Sequence, residues 1–289
     1  MSTLTTTLPV LTTPAAGTFR RMLRNRRVVI CGSILAVIGL AALFAPLLAP
    51  YDYRDPVGIP LSAGSSVGWI GTDDFGRDVL SRLIHGSRVS LGVSVVAVLI
   101  ASTFGTLIGL VAGYFRGATE TISMRGIDIL LCFPPVVLAV AAVAALGPEL
   151  RNVILIIGVL YIPRFARIVY GSVLSVSTME YVIAARSMGS GALRILSRTV
   201  LPNVTAPILV QLSLSLGFAI QIESGLSFLG LGAQPPLPSW GSLVASGRDF
   251  LEVRPMLLIA PAVVIAVTVL ALNILGDGLR DVFDPRRRH

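Results

Sequence analysis

Along the 289 residues, polar and apolar positions segregate into long blocks, where an amphipathic surface would alternate them at short period. The apolar blocks run from Val28 to about Ala49, Val89 to Tyr114, Thr121 to Leu146, Asn152 to Val176, Ala206 to Leu231 and Pro255 to Leu275. Each approaches or exceeds the ~20 residues that an α-helix needs to cross a hydrocarbon core. A lipid-exposed backbone must satisfy its own hydrogen bonds, so the pattern predicts an all-α bundle of six membrane helices. Small and β-branched residues crowd the second block, which predicts a helix packed closely inside the bundle. Turns fall at Arg116-Gly117 and at Gly147-Pro148-Glu149.

The polar stretches divide the chain further. Residues 1–19 are rich in Thr, Pro and Ala without periodicity and read as a disordered tail. Residues 20–88 hold the first helix and a polar loop, 89–276 the five-helix core, and 277–289 a tail. Arg20, Arg21, Arg24, Arg26 and Arg27 precede the first block, which is long for a signal-peptide core and ends in the poor cleavage sequence Ala-Pro-Leu-Leu-Ala-Pro. It reads as an uncleaved helix with a cytoplasmic N-terminus, and six spans return the C-terminus to the cytoplasm. Arginine placement agrees in sign: counting those near span ends, sixteen of the 23 fall with the segments this topology puts inside and seven outside.

Composition narrows the chemistry. Hydrophobic residues make up 54% of the chain and charged ones 13%, about half the charge of an ordinary soluble domain. All 23 basic residues are arginine, which excludes a P-loop lysine, a Schiff base and a Ser/Lys dyad. The net charge of +8 is dispersed among apolar blocks, so it fits membrane topology better than nucleic-acid binding. Cys31 and Cys132 lie in apolar runs, and His85 and His289 lack neighbours at metal-ligand spacing. No Ser/His, Cys/His or metal constellation supports an enzyme.

The informative interruption is 177–202. Tyr181 to Ser187 predicts a short amphipathic helix, Gly189 and Gly191 a bend, and Ala192 to Val200 a second helix ending before Pro202. The result is either a compact docking knob at the membrane edge or an ordinary basic loop. The Gly71–Asp78 stretch, with Asp73, Asp74, Arg77 and Asp78, is either part of an outer mouth or a loop in which Arg77 pairs with an aspartate. Within the spans, Arg125 and Asp128 have i, i+3 spacing that would neutralise them. Arg164 and Arg167 would snorkel to headgroups or brace the loop. Glu223, roughly 24 Å beyond Pro207 along a helix, would line a pathway with Gln211 and Gln221 or bond a neighbouring helix.

The loop residues Ala184-Ala185, Gly189 and Leu201-Pro202 resemble the Glu-Ala-Ala…Gly…Ile-x-Leu-Pro loop of ABC importer permeases. Ile183 stands where that family often has Glu, and Thr199 where it often has Ile; Glu180, one turn earlier, can take the carboxylate's place. Gly71 to Leu83, and Leu226 to Gly232 with Pro235-Pro236 and Ser239-Trp240-Gly241, are similar to segments of dipeptide/oligopeptide/nickel-type permease subunits. The resemblance implies the type I importer permease fold, with a coupling-helix loop between helices 4 and 5 in a bacterial or archaeal plasma membrane. It implies ATPase-coupling roles for Glu180, Tyr181, Ala184, Ala185, Met188, Gly189, Gly191, Leu201 and Pro202. It places Asp73, Asp74, Arg77, Asp78 and Trp240 at the extracytoplasmic mouth. The implied partners are a second homologous permease, two cytoplasmic ATPases that hold ATP and Mg, and an extracytoplasmic binding protein. This chain itself would bind no cofactor. Peptide is the expected solute, with nickel, glutathione or another small solute as alternatives. A self-contained secondary transporter is the competing class; it would normally show broken helices or midplane charges, which are sparse in the sequence, and it would leave the knob unexplained.

Overall fold

A computed structural model describes residues 25–64 and 68–283, and among them every regular element is helical. The expected tail over 1–19, with Arg20, Arg21, Arg24, Arg286, Arg287, Arg288 and His289, lies outside the described residues.

Helix α1 (Arg26–Leu43) begins where the Asn25 side chain accepts from Arg27 N–H. Pro46, which has no N–H to continue the ladder, splits off a one-turn α2 (Ala45–Leu48), so the first block is not one helix to Ala49. Helix α3 (Val79–Phe115) starts ten residues before the predicted Val89, because Asp78 caps it by accepting from Ser81 N–H at 2.8 Å. The third block is also not a single helix. It forms α4 (Gly117–Leu131) and α5 (Pro135–Leu146), bent by 87° at Cys132–Pro134. Consecutive prolines at 134 and 135 remove two donors and drive the preceding residues out of helical geometry.

Helix α6 (Leu150–Val176) leads into the short α7 (Glu180–Ser187) and α8 (Ala192–Ile195). A π turn, Leu196–Val200, then joins α8 directly to α9 (Leu201–Phe228). Pro202 therefore does not end a helix as expected: it occupies the first turn of α9, where a missing N–H costs least, and the wide turn before it makes room for the ring. The predicted loop before the last span contains α10 (Trp240–Arg248), opened by reciprocal Ser239/Ser242 capping. The last helix, α11 (Met256–Phe283), runs beyond the predicted Leu275. Among the described residues, five helices are long and apolar enough to cross a membrane, or six if α4 and α5 count as one bent span.

The tightest seam lies between α3 and α6. Gly105, Gly109 and Gly113 form a stripe on α3, and a Cβ on Gly109 would lie 2.7 Å from the Ala166 carbonyl oxygen. The backbones approach this closely only because no side chain intervenes. Beside that seam Val93, Ala97, Ile157, Tyr161, Phe165 and Ala219 form the buried centre. Helix α9 joins α11 where Ser213 Oγ donates to the Leu272 carbonyl at 2.8 Å. Val173 packs near Val204, and Ile156 near Leu226, so α6 and α9 run antiparallel. Gly189 and Trp240 thus mark opposite ends of the bundle.

Candidate functional site

At the Gly189 end, α7 and α8 form a knob seated on the bundle through Val182, Ile195 and Val200, all buried with Val173 and Val204. Its other face is apolar and exposed, formed by Tyr181, Ile183, Met188 and Leu193; Met188 is 79% and Leu193 81% exposed. The turn between the helices places Gly189 at φ +74°, a conformation that favours glycine. Ser190 N–H closes the turn onto the Ala185 carbonyl at 3.1 Å. Glu180, Ala184, Gly191 and Pro202 are exposed, while Ala185 and Leu201 are half-buried. Glu180 and the exposed Ile183 are one turn apart on α7. Arg186 lies over the Tyr114 ring and ties the knob to α3.

At the Trp240 end, Asp73 organises the loop. Its Oδ1 accepts from Phe75 and Arg77 N–H, both at 2.9 Å, and its Oδ2 from Arg77 Nε at 2.8 Å. Arg82 adds an ion pair at 3.4 Å. The structure shows the Arg77–aspartate pairing within the loop: Asp73 and Asp78 are buried, and Asp78 caps α3 through Oδ2. Asp74 is half-buried, and burial with the neighbouring Asp73 carboxylate pushes its carboxyl above the ordinary value. Trp240 does not stand at a rim. It is wholly buried with Ile220, Val269 and Leu272, and its Nε1 donates to the Leu83 carbonyl.

The three candidate pathway residues do not converge. Gln211 is buried and donates to Ser215 Oγ at 2.9 Å, while Gln221 is exposed. Glu223, two residues on and therefore on another side of α9, is buried and accepts from Ser227 Oγ at 2.8 Å. Ser224 Oγ adds a second donor at 3.4 Å, and Ser90 of α3, whose Oγ accepts from Trp240 N–H, and Ser239 at the start of α10 stand beside this carboxylate. Of its two readings, Glu223 thus fits the carboxylate that joins neighbouring helices. Asp128 pairs with Arg167 of α6 and not with Arg125, while Glu120 accepts from the Tyr170 hydroxyl. These two contacts fasten α4 to α6. The hydroxyls around Glu223 were missed in sequence reading, although Ser-Trp-Gly-Ser at 239–242 carries a capping signal. Among the described residues no cluster of three or more His, Cys, Asp or Glu is placed to hold a metal ion.

Residues 105–289 match the model for "Binding-protein-dependent transport system inner membrane component", and residues 13–59 match "N-terminal TM domain of oligopeptide transport permease C". The chain is 40% identical to the glutathione transport system permease protein GsiD of Pectobacterium atrosepticum, over 97% of this chain and 95% of that protein. It is 40% identical to the dipeptide transport system permease protein DppC of Alkalihalophilus pseudofirmus, over 95% and 91% respectively. With the di/tripeptide permease DppC of Pseudomonas aeruginosa it shares 42% identity over 88% and 86%. The fold resembles a chain of the MetNI methionine ABC transporter in an inward-facing conformation, with TM-score 0.59, 17% identity, and 71% of this chain and 98% of that chain covered. That likeness supports the type I importer permease fold. With the family model covering well over half of its length and relatives matching along nearly all of it, the chain belongs to the binding-protein-dependent inner membrane transport components and is a permease subunit of an ABC importer.

Proposed function

We propose that this permease carries short peptides, with glutathione as a member of that class, delivered by an extracytoplasmic binding protein. The observation that carries the coupling part is the knob: a buried apolar seat under an exposed apolar crown of Tyr181, Ile183, Met188 and Leu193. A crown of that kind at the membrane edge fits a groove on a cytoplasmic ATPase. The knob end is then cytoplasmic, as are both termini, which agrees with the arginine bias. Two ATPases supply ATP and Mg, a second homologous permease completes the pathway, and this chain performs no chemistry of its own. Closure of the ATPases on ATP moves the knob and shifts the helices between two arrangements. That requires the nucleotide-bound state to favour one arrangement over the other. The equal identity to dipeptide and glutathione permeases supports the solute class over nickel.

The test compares wild type with Gly189→Pro in the reconstituted importer. Proline fixes φ near −65°, so it cannot adopt the +74° of this turn. Binding-protein-stimulated ATP hydrolysis is expected in wild type and its loss in the variant. Retained stimulation in Gly189→Pro removes the coupling role. Solute movement without nucleotide removes the ATP-driven reading.

A further inference from the structure

Arg164 lies near the middle of a membrane-crossing helix and not at its inner end, which leaves the arginine bias at fifteen inside against seven outside, unchanged in sense. It is the fourteenth residue after Leu150, about 21 Å along α6, with about 18 Å remaining to Val176. A hydrocarbon core is about 30 Å thick, so its Cα sits too deep for easy snorkelling to either surface. Its guanidinium instead lies between two rings, 5.0 Å from the Tyr161 centroid on α6 and 4.7 Å from that of Phe218 on α9. The two faces hold the charge by cation–π attraction without neutralising it.

Among the described residues, no carboxylate in the membrane-central part of the spanning helices is available to it. Asp128 is taken by Arg167, Glu120 by Tyr170, and Glu223 is enclosed by serines. Asp277 and Asp281 belong to the last turns of α11, away from that helix's membrane-central part. Arg248, the comparable arginine over Phe228, has Asp249 at 3.2 Å, so it already carries a counterion. Arg164 is only half-buried, and Phe218, Gln221 and Gly225 continue along α9 as an exposed stripe. An unneutralised arginine at this depth facing lipid would be strongly disfavoured, so the stripe faces water or protein.

We propose that Arg164, held between Tyr161 and Phe218, is an anion-recognition point on the translocation face that takes the carboxylate of the passing solute. A guanidinium offers a two-pronged donor set matched to a carboxylate, and ring stacking pre-orients it. Recognition by one fixed charge is strong enough to admit a carboxylate and weak enough to release it. The choice of a peptide carboxylate rests on the proposed solute class; the positive site itself does not.

The test places a reporter cysteine one turn from Phe218, as Gln221→Cys in a Cys31→Ala, Cys132→Ala background, in the assembled importer in nanodiscs. Anionic and cationic thiosulfonate reagents are compared, with and without Arg164→Gln. The anionic reagent is expected to react faster, with a rate ratio that falls about tenfold in Arg164→Gln and is kept in Arg164→Lys. A free dipeptide is expected to slow labelling, and its C-terminal amide is not. A ratio indifferent to Arg164 overturns the site. So does a reporter thiol in Gln221→Cys that fails to react while the exposed native Cys132, kept in a parallel sample, does. If the ratio shifts as expected but carboxylates other than peptides alone protect, the anion site stands and the peptide reading falls.

Discussion

Gly109→Ala tests the central seam directly. The added methyl would meet the Ala166 carbonyl oxygen and Val169 Cβ at 2.7 Å each, and Tyr170 N at 2.9 Å. Ordinary contact needs about 3.5 Å, so α3 and α6 must part by roughly 0.8 Å. Tilting does not relieve it, because the glycines one turn to either side, 105 and 113, are as tightly set, at 2.5 and 2.9 Å. Overpacking of this kind costs about 1–3 kcal/mol, against a helix-propensity gain of about 1 kcal/mol from Gly to Ala. Gly171→Ala, on α6 with no heavy atom within 4 Å of the new methyl, supplies the control that has only the gain. Thermal unfolding of the detergent-solubilised chain should place Gly109→Ala below wild type and Gly171→Ala at or above it. If the two variants melt together, the backbones are not in contact there and the seam has been misread.

Three further outcomes follow from the loop and the packing around it. Trp240→Ala removes a wholly buried ring and its bond to Leu83, and should cost about 3–5 kcal/mol by thermal unfolding. Asp73→Asn leaves Arg82 buried without its charge partner, and should destabilise by about 3 kcal/mol, with a smaller loss when Arg82→Gln is added in a double-mutant cycle. Asp74 has a folded-state value raised above 3.8, so its ionisation opposes folding. The carboxyl is neutral in both states at pH below that value and penalises the folded loop as pH rises past the raised one. Asp74→Asn should therefore raise the melting temperature at pH 7 and leave it unchanged near pH 3, and an equal effect at both would contradict the assignment.

Sequence reading found the spanning segments because six apolar blocks carry their own signal, and it found the knob because Gly189 and Gly191 interrupt a polar run. It missed where local chemistry overrides hydropathy. The Pro134-Pro135 pair breaks the third block although its apolar count is continuous, and Asp78 starts α3 among Arg82, His85 and Arg88, which read as a loop. The pairing of Asp128 was misassigned for a different reason: i, i+3 spacing finds a partner on the same helix, whereas Arg167 arrives from another one. The resemblance puts Trp240 at the mouth, yet Gly86 clears space for its ring and Gly241 lets α10 close against the Ser224 backbone of α9. None of these depends on hydrophobic period; each depends on which element lies alongside.

The π turn between the knob and α9 has a mechanical consequence. Because Leu196–Val200 joins α8 to α9 without a break, residues 192–228 form one continuous helical rod of 37 residues, with the π turn and Pro207 as the points where it can flex. Such a rod is about 55 Å long, so rocking its knob end through ~5° about its foot displaces the far tip by about 5 Å. The tip carries Phe228 and stands beside Trp240 and Glu223. A rotation too small to disturb the packing around Val200 would then arrive at the opposite face of the membrane as a gap the width of a side chain.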